Sequence, residues 1–412
     1  MILVLCARKF AVHDWYESLG EELFLLTSDE IVDFFLKDKF AYIETFSDFW
    51  SNPMVMRRAM QLHKKHTFRK IIGPTELDMI RSAKLREHLN IEGLQSSDSA
   101  LQYRDKVYMK DKVKAGGLRV PRYRRLHDEM DLLSFIDENG FPVLLKPLSA
   151  FGSIGVKVLW SEHDLDDYLR SKPIFLGYEA EEYIEGTLYT VDGVVINDEV
   201  VFISTSEYVG GNLIDLDSSG INGNWILHPT NPLSKRLIAY TKKMIQALDT
   251  PKHAVFHAEL FHTVDDDIVL CEIACRCPGS HLPHCIDYTY DVDLVKLMFQ
   301  IHVETPIHLP NDGENHNPEK LYGFVYFTPK EGRIVSLPID NPPDWVVDYQ
   351  LLGKVGQEYP KDVNYDYPYA YMIFESETEE GLKARTVEIC EWFTSRVEWD
   401  HENRLETVEI GV

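Results

Sequence analysis

HAVFHAELFHTVDDDIVLCEIACRCPGSHLPH, residues 253–284, has the pattern of two β-strands joined by a tight acidic turn, with Asp265 and Asp266 at its centre. On the first strand Phe256, Ala258 and Leu260 alternate with His257, Glu259 and Phe261. On the second, Val269, Cys271 and Ile273 continue the apolar side, and Leu270, Glu272 and Ala274 share the other. A turn symmetric about Asp265–Asp266 sets Glu259 directly across the ladder from Glu272. Opposed Cβ atoms lie roughly 4.5–5.5 Å apart, and like charges there destabilise a sheet unless something neutralises them. A divalent cation is the simplest neutraliser, and hard oxygen ligands suit magnesium. Arg276 keeps the parity of Glu272 and Ala274, so it projects to the same side just past the strand end. Two carboxylates and a guanidinium on one face make a site for a metal ion and an anion. A solvated sheet face with one Glu per strand is the alternative, and the hairpin by itself does not choose between them.

A chain of 412 residues exceeds the size at which a single hydrophobic core stops growing, so two or three domains are expected. With 44% hydrophobic and 26% charged residues, the composition is that of a folded globular protein rather than a disordered one. The net charge of −25 repels nucleic acid and anionic membrane surfaces, so neither is expected as a partner, while a nucleotide in a local basic pocket is still allowed. No run is long and apolar enough to span a bilayer. The opening MILVLC lacks a basic leader and reads as a first strand. Six cysteines without a signal peptide read as reduced thiols of a cytoplasmic protein.

Outward from the hairpin, residues 1–95 alternate short apolar runs (Ile2–Cys6, Leu23–Leu26, Ala41–Thr45, Arg69–Ile72) with amphipathic segments (Pro53–Lys65, Thr75–Leu89), the signature of a small α/β unit with a parallel sheet. No G-x-G-x-x-G follows the first strand, so this unit reads as scaffold. Ser97 or Asp98 caps a helix carrying RDKVYMKDKVKAGG, whose Arg104, Lys106, Lys110 and Lys112 read, in isolation, as a solvated basic face. FPVLLKPLSAFGSIGVKVLW, from Phe141 to Trp160, places two strands around a loop in which Gly152, Ser153 and Gly155 allow successive N–H groups to face phosphate oxygens. Lys146 stands at the strand end, within reach of the same phosphates. The run Glu179–Glu185 then offers backbone groups to an adenine edge. Residues 209–228 read as a long Gly- and Asn-rich loop of the kind that covers active sites, with Asp215 and Asp217 as candidate contacts to a cationic side chain. LYGFVYFTPKEGRIVSLP reads as a hairpin turning at Lys330–Gly332.

Taken in order, the RDK helix, strand–Lys–Pro–Gly loop–strand, EEYIEGT, HxE and EIxxR resemble the ATP-grasp superfamily over roughly Gln102 to Val335. The resemblance implies an α/β and α+β chain: an N-terminal parallel α/β domain (1–97), two ATP-gripping subdomains (98–185 with the glycine-rich lid, 186–307 with the metal-binding hairpin) and a C-terminal α/β segment (308–412). It implies that Lys106 and Lys146 hold the α- and β-phosphates under a lid of Gly152, Ser153 and Gly155. It likewise implies that Glu181, Glu182, Tyr183 and Ile184 read adenine, that Glu259 and Glu272 bind Mg2+, with Mn2+ as substitute, and that Arg276 holds the carboxylate substrate or the charge of the transition state. Two positions depart from the family pattern. Ala274 stands where E-x-N-x-R has its Asn, a departure shared with the L-amino-acid ligases of the bacilysin type. Leu188 stands where a ribose-binding Glu is usual, which leaves Glu185 as the candidate.

The implied chemistry is activation of an amino acid carboxylate as an acyl phosphate, then attack by an amine to give a dipeptide or amide. The alternative acceptor is the phosphopantetheine thiol of an acyl carrier protein in antibiotic biosynthesis, which would need a basic docking patch such as Arg119, Arg122, Arg124 and Arg125. Related ligases are often dimers, so the resemblance also allows a homodimer. A reading from another class is a zinc module built from Cys275, Cys277, His281, His284 and Cys285, though the C-x-C spacing lacks the gap of common knuckles.

Overall fold

The computed structural model describes residues 1–8, 15, 19–150, 152, 154–210, 220–310, 317–360 and 368–400. Strands β1 (Ile2–Leu5), β2 (Leu23–Ser28), β3 (Tyr42–Phe46) and β4 (Lys70–Ile72) form a wholly parallel sheet in the order β3-β2-β1-β4. The Ile-Leu-Val-Leu run of β1 is buried at every residue, as a strand covered on both faces must be. On one face Leu3, Leu5, Phe24 and Leu26 pack with Val55, Ala59 and Leu62 of the helix Met54–His66. On the other, Ile2, Val4, Leu25 and Ile72 join the main core with Met79 and Ala83 of the helix Met79–Leu89.

The RDK segment, expected as one helix, is two. Ser96 caps Ser97–Gln102, and Asp105 caps Lys106–Ala115, its carboxylate accepting from the amides of Val107 and Tyr108. The second cap puts Lys106 at the first helical position and Lys110 one turn on, along the same side of the helix. Next, β5 (Tyr123–Arg125), β6 (Val143–Pro147), β7 (Lys157–Leu159) and β8 (Tyr178–Glu182) form an antiparallel sheet in the order β5-β8-β6-β7. Leu132, Phe135 and Ile136 of the helix Glu129–Asn139 and Leu165 of the helix Glu162–Arg170 bury its apolar side.

The third and largest layer holds β9 (Gly186–Ile196), β10 (Glu199–Tyr208), β11 (Ile221–Ile226), β12 (His253–Thr263), β13 (Ile268–Ala274) and β14 (Leu321–Phe327). After β15 (Gly332–Ser336) come β16 (Val346–Leu351), β17 (Glu358–Tyr359), β18 (Ala370–Ser376) and β19 (Glu398–Trp399). Eight of these make one antiparallel sheet, β13-β12-β9-β10-β11-β14-β18-β16, and β17-β15-β19 make a small second one. Two expectations are corrected here. Residues 221–226 are not loop but β11, held between β10 and β14; the glycine that looked like loop chemistry, Gly223, is there because a Cβ would run into the Phe324 carbonyl. Asp215 and Asp217 lie outside the described residues. Likewise β14 and β15 do not pair as a hairpin. Both edges of the apolar β14 are taken by β11 and β18, and the more exposed β15 goes to the small sheet.

Candidate active site

Glu259 faces Glu272 across the β12–β13 ladder, as expected, but for a different reason. The turn is centred on Asp265: Thr263 and Asp267 bond to each other, Asp266 sits at φ 67°, and His262 pairs with Ile268. That centre alone would leave the carboxylates out of register by one residue. A bulge at Cys271 restores it, since Leu260 pairs with Leu270 and the next residue, Glu259, with Glu272. The bulge also overturns the expected parity of the second strand. Val269 now lies opposite Phe261, and the Cys271 thiol comes 3.9 Å from Glu259 Oε2, so both stand on the carboxylate side.

The basic helix residues are not a solvated face. Arg104, Lys106 and Lys110 are buried, Lys110 completely. Lys106 Nζ stands 2.9 Å from Glu272 Oε2 and donates to the Ala150 carbonyl (3.0 Å). Burial works to lower its pKa, but the Glu272 and Glu76 carboxylates together outweigh burial and raise it. Lys146 donates to Glu181 (2.7 Å) and lies 4.0 Å from the Cys271 sulfur. Lys110, one turn beyond Lys106, bridges Glu179 (2.5 Å) and Glu181. Burial raises Glu179 above the usual carboxylate range, whereas the two lysines overcome burial at Glu181 and hold it below. Sequence reasoning missed Lys110–Glu179; period-two alternation in Tyr178–Glu182 does put Glu179 and Glu181 on one face.

Between the lid sheet and the hairpin, Ile184, Leu188, Phe261, Val269 and Cys271 form a small apolar cluster with Tyr208 against it. Leu188, the departure from the family pattern, is a buried wall of this cluster, and Glu185 is exposed. Tyr183 packs on Trp160 (ring centroids 5.1 Å), and Glu182 is bound by Arg119 and Arg122. In the loop between β6 and β7, Gly152 and Gly155 have φ of 58° and 77°. A Cβ at Gly155 would also press on Pro147 at 2.9 Å. Ser153 lies outside the described residues.

His257 and Arg276 also stand near the carboxylate pair. His257 Nδ1 bonds Asp192 (2.7 Å) and its Nε2 lies 3.5 Å from Glu259. Burial would lower its pKa, but Asp192 holds it up at about 9. Tyr208 donates to the same oxygen of Glu259, Oε1 (2.6 Å). Arg276 is buried and donates through Nε (3.0 Å) and Nη2 (2.7 Å) to Glu76 Oε2, and through Nη1 to the Cys277 carbonyl. Arg104 takes Glu76 Oε1 and reaches the Ser149 carbonyl. Burial pushes against the Glu76 anion, yet Arg276, Arg104 and Lys106 bring its pKa to about 2. Glu76 was also missed. It follows the end of β4, at the carboxyl edge of a parallel sheet, which is where α/β folds place ligand contacts.

The zinc grouping does not form. Cys277 and Cys285 are core residues and His281 stacks on Tyr371 (3.7 Å); among the described residues no group of three or more His, Cys, Asp or Glu converges as a metal site. The four arginines of the expected docking patch are each paired: Arg119 and Arg122 with Glu182, Arg124 with Glu138, Arg125 with Asp105.

No family model matches the chain. The L-amino acid ligase of Bacillus licheniformis aligns with it at a TM-score of 0.77, covering 98% of both chains at 16% identity. The fold is ATP-grasp. A second ATP-grasp structure, the biotin carboxylase domain dimer of Hydrogenobacter thermophilus 2-oxoglutarate carboxylase with MgADP and bicarbonate, aligns at a TM-score of 0.68 (15% identity, 97% of this chain, 90% of that one). By sequence the chain is 25% identical over 348 residues to the L-arginine-specific L-amino acid ligase of Bacillus subtilis, covering 79% of this chain and 80% of that one. It thus resembles the L-amino acid ligases among ATP-grasp enzymes. The donor set fits magnesium and a nucleotide: an opposed carboxylate pair for a hard cation, two buried lysines beside it for phosphate, and an apolar cluster for a ring to pack on. Two carboxylates suffice for magnesium where waters and phosphates complete the shell.

Proposed function

We propose that this chain is an ADP-forming ligase that activates the carboxylate of an amino acid with ATP and joins it to an amine. The observation that carries this reading is the Glu259–Glu272 pair, with Lys106, Lys146 and Arg276 gathered around it. In this reading the adenine ring packs against the cluster of Ile184, Leu188, Phe261 and Val269, with the backbone of Glu181–Ile184 at its polar edge. Lys106 and Lys146 exchange Glu272 and Glu181 for phosphate oxygens, and the Gly152–Gly155 loop covers them. A magnesium ion held by Glu259 and Glu272 would supply charge neutralisation at the transferring phosphoryl group. Ala274 offers that ion no ligand.

One oxygen of the substrate carboxylate, oriented by Arg276, attacks the γ-phosphorus; the bond to the β–γ bridging oxygen breaks and ADP leaves. The amine of the acceptor then attacks the acyl carbon, loses a proton and expels phosphate. Arg276 fixes the carboxylate with directed N–H groups and bears the oxyanion charge as it develops. Shielding from water preserves the acyl phosphate until the amine arrives. The likeness to L-amino acid ligases supports an amino acid as the activated acid. A carrier-protein acceptor gains no support from the surface, where the relevant arginines are already compensated.

The deciding experiment measures phosphate release from ATP and magnesium with amino acids singly and in pairs, with product masses. Release that needs an amino acid and yields a dipeptide mass supports the reading, and Glu272→Ala should abolish it. No release with any amino acid, with and without an added carrier protein, would sink it.

A further inference from the structure

Glu259 does not present its two oxygens alike. Tyr208, the last residue of β10, donates its hydroxyl to Oε1 at 2.6 Å, and His257 Nε2 stands 3.5 Å from that same atom. Among the described residues the sole hydrogen-bond donor at Oε2 is a thiol, Cys271 Sγ at 3.9 Å. Both groups on Oε1 are themselves fixed. The Tyr208 ring packs against the apolar cluster that holds Leu188 and Phe261, and the opposite nitrogen of His257 is tied to Asp192 at 2.7 Å. Asp192 is held in turn by the Thr190 hydroxyl at 2.7 Å, so the imidazole cannot swing away without breaking buried bonds. A carboxylate oxygen has about two acceptor positions. Tyr208 fills one on Oε1, and the imidazole stands over the other side of the oxygen. A thiol is a weak donor, which a cation displaces at little cost. Glu259 therefore offers a metal ion one oxygen, not two.

The number of oxygens matters because the two common divalent cations need different shells. Mg2+ takes an octahedron at about 2.0–2.1 Å, made of one or two carboxylates with phosphates and waters. Ca2+ takes about 6–8 oxygens at about 2.3–2.6 Å and often grips a carboxylate by both of its oxygens. We propose that Tyr208 is a positioning residue that holds Glu259 to a single metal-facing oxygen, so that the site selects Mg2+ over Ca2+. Ala274 adds to the effect, since it supplies no oxygen with which the larger ion could complete its shell. The inference rests on the ligase reading above, which assigns a metal to this carboxylate pair, and it names the residue that sets the metal preference of that same site. Nothing in the local sequence marks Tyr208. It is paired with Asn224 in the β10–β11 ladder and reaches Glu259 from 51 positions away.

The test compares ADP binding by isothermal titration calorimetry with saturating Mg2+, with saturating Ca2+ and with EDTA, in the wild type and in Tyr208→Phe. The wild type is expected to bind ADP more tightly with Mg2+ than with Ca2+. In Tyr208→Phe that preference falls about tenfold, the scale of one hydrogen bond to a charged group, while affinity for metal-free ADP is unchanged. A general loosening of the fold would weaken all three titrations together and leave the ratio where it was. An unchanged ratio in the folded variant overturns the proposal, and so does a wild type that does not prefer Mg2+. If the variant does not fold, the wild type crystallised with Mg2+ and ADP decides. The ion on one oxygen of Glu259, with Tyr208 still on the other, supports the proposal. An ion held by both oxygens, or by the one Tyr208 now occupies, overturns it. Wild-type ADP binding that is the same with EDTA as with either metal overturns the metal site itself, and the ligase reading with it, before Tyr208 is in question.

Discussion

Lys110 carries no direct contact to the proposed nucleotide, yet it organises the residues that do. Its ammonium is completely buried between Glu179 and Glu181, and Glu181 in turn holds Lys146. Removing one partner of a buried ion pair typically costs about 3–5 kcal/mol, because the other charge stays behind unpaired. Lys110→Met should therefore lower unfolding stability in denaturant by roughly that amount and weaken ATP binding in the fraction that folds; an effect below ~1 kcal/mol would mean that the pair is solvated. Most residues the sequence made legible share one property. Lys146, Glu259, Glu272 and Arg276 each belong to a local pattern that marks them, whereas Lys106 reads locally as part of a solvated basic face and stands out only through the order of the motifs around it. Glu76, Asp192 and Glu179 acquire their meaning from partners 200, 65 and 69 positions away, and no local window contains both members.

Among the elements, the helix Lys106–Ala115 depends on its cap. Asp105 accepts from two first-turn amides and also binds Arg125 at 2.6 Å. Asp105→Ala should cost about 1–2 kcal/mol, and because Lys106 is the first helical residue the same change should raise KM for ATP; a stable variant with unaltered KM would argue against a rigid Lys106. The helix Leu294–Val303 gives a pH dependence. His302 is half-buried near Arg86 and Lys70, and desolvation first, then those cations, press its pKa down to about 3 from 6.5. Between those values the unfolded chain binds a proton that the folded chain refuses, so stability falls as pH drops below 6.5. The penalty reaches up to ~2 kcal/mol at pH 5. His302→Gln should flatten the decline in melting temperature between pH 7 and pH 5 relative to the wild type.

For the molecule as a whole, the cleft collects anions and cations that satisfy one another in the absence of ligand, Lys106 with Glu272 and Lys146 with Glu181. Binding a nucleotide with magnesium exchanges these pairs rather than creating charge. ATP with magnesium should raise the melting temperature, EDTA should remove most of that rise, and Glu259→Ala should bind nucleotide without the magnesium-dependent increment. An equal rise with and without the metal would count against the carboxylate pair as its site. The parallel N-terminal sheet, the glycine loop between two strands, and the hairpin carrying the two glutamates were set by short-range information: alternation, caps and turn residues within a few positions. Where the chain then placed those pieces was not. The Cys271 bulge, the entry of residues 221–226 into the sheet as β11 and the departure of β15 from β14 follow from which strand edges the packed molecule leaves open. Glu76 on Arg276 follows from the docking of the N-terminal sheet against the end of β13. Local pattern specifies what a segment can be; only the closed tertiary structure decides which distant charges must share a buried site.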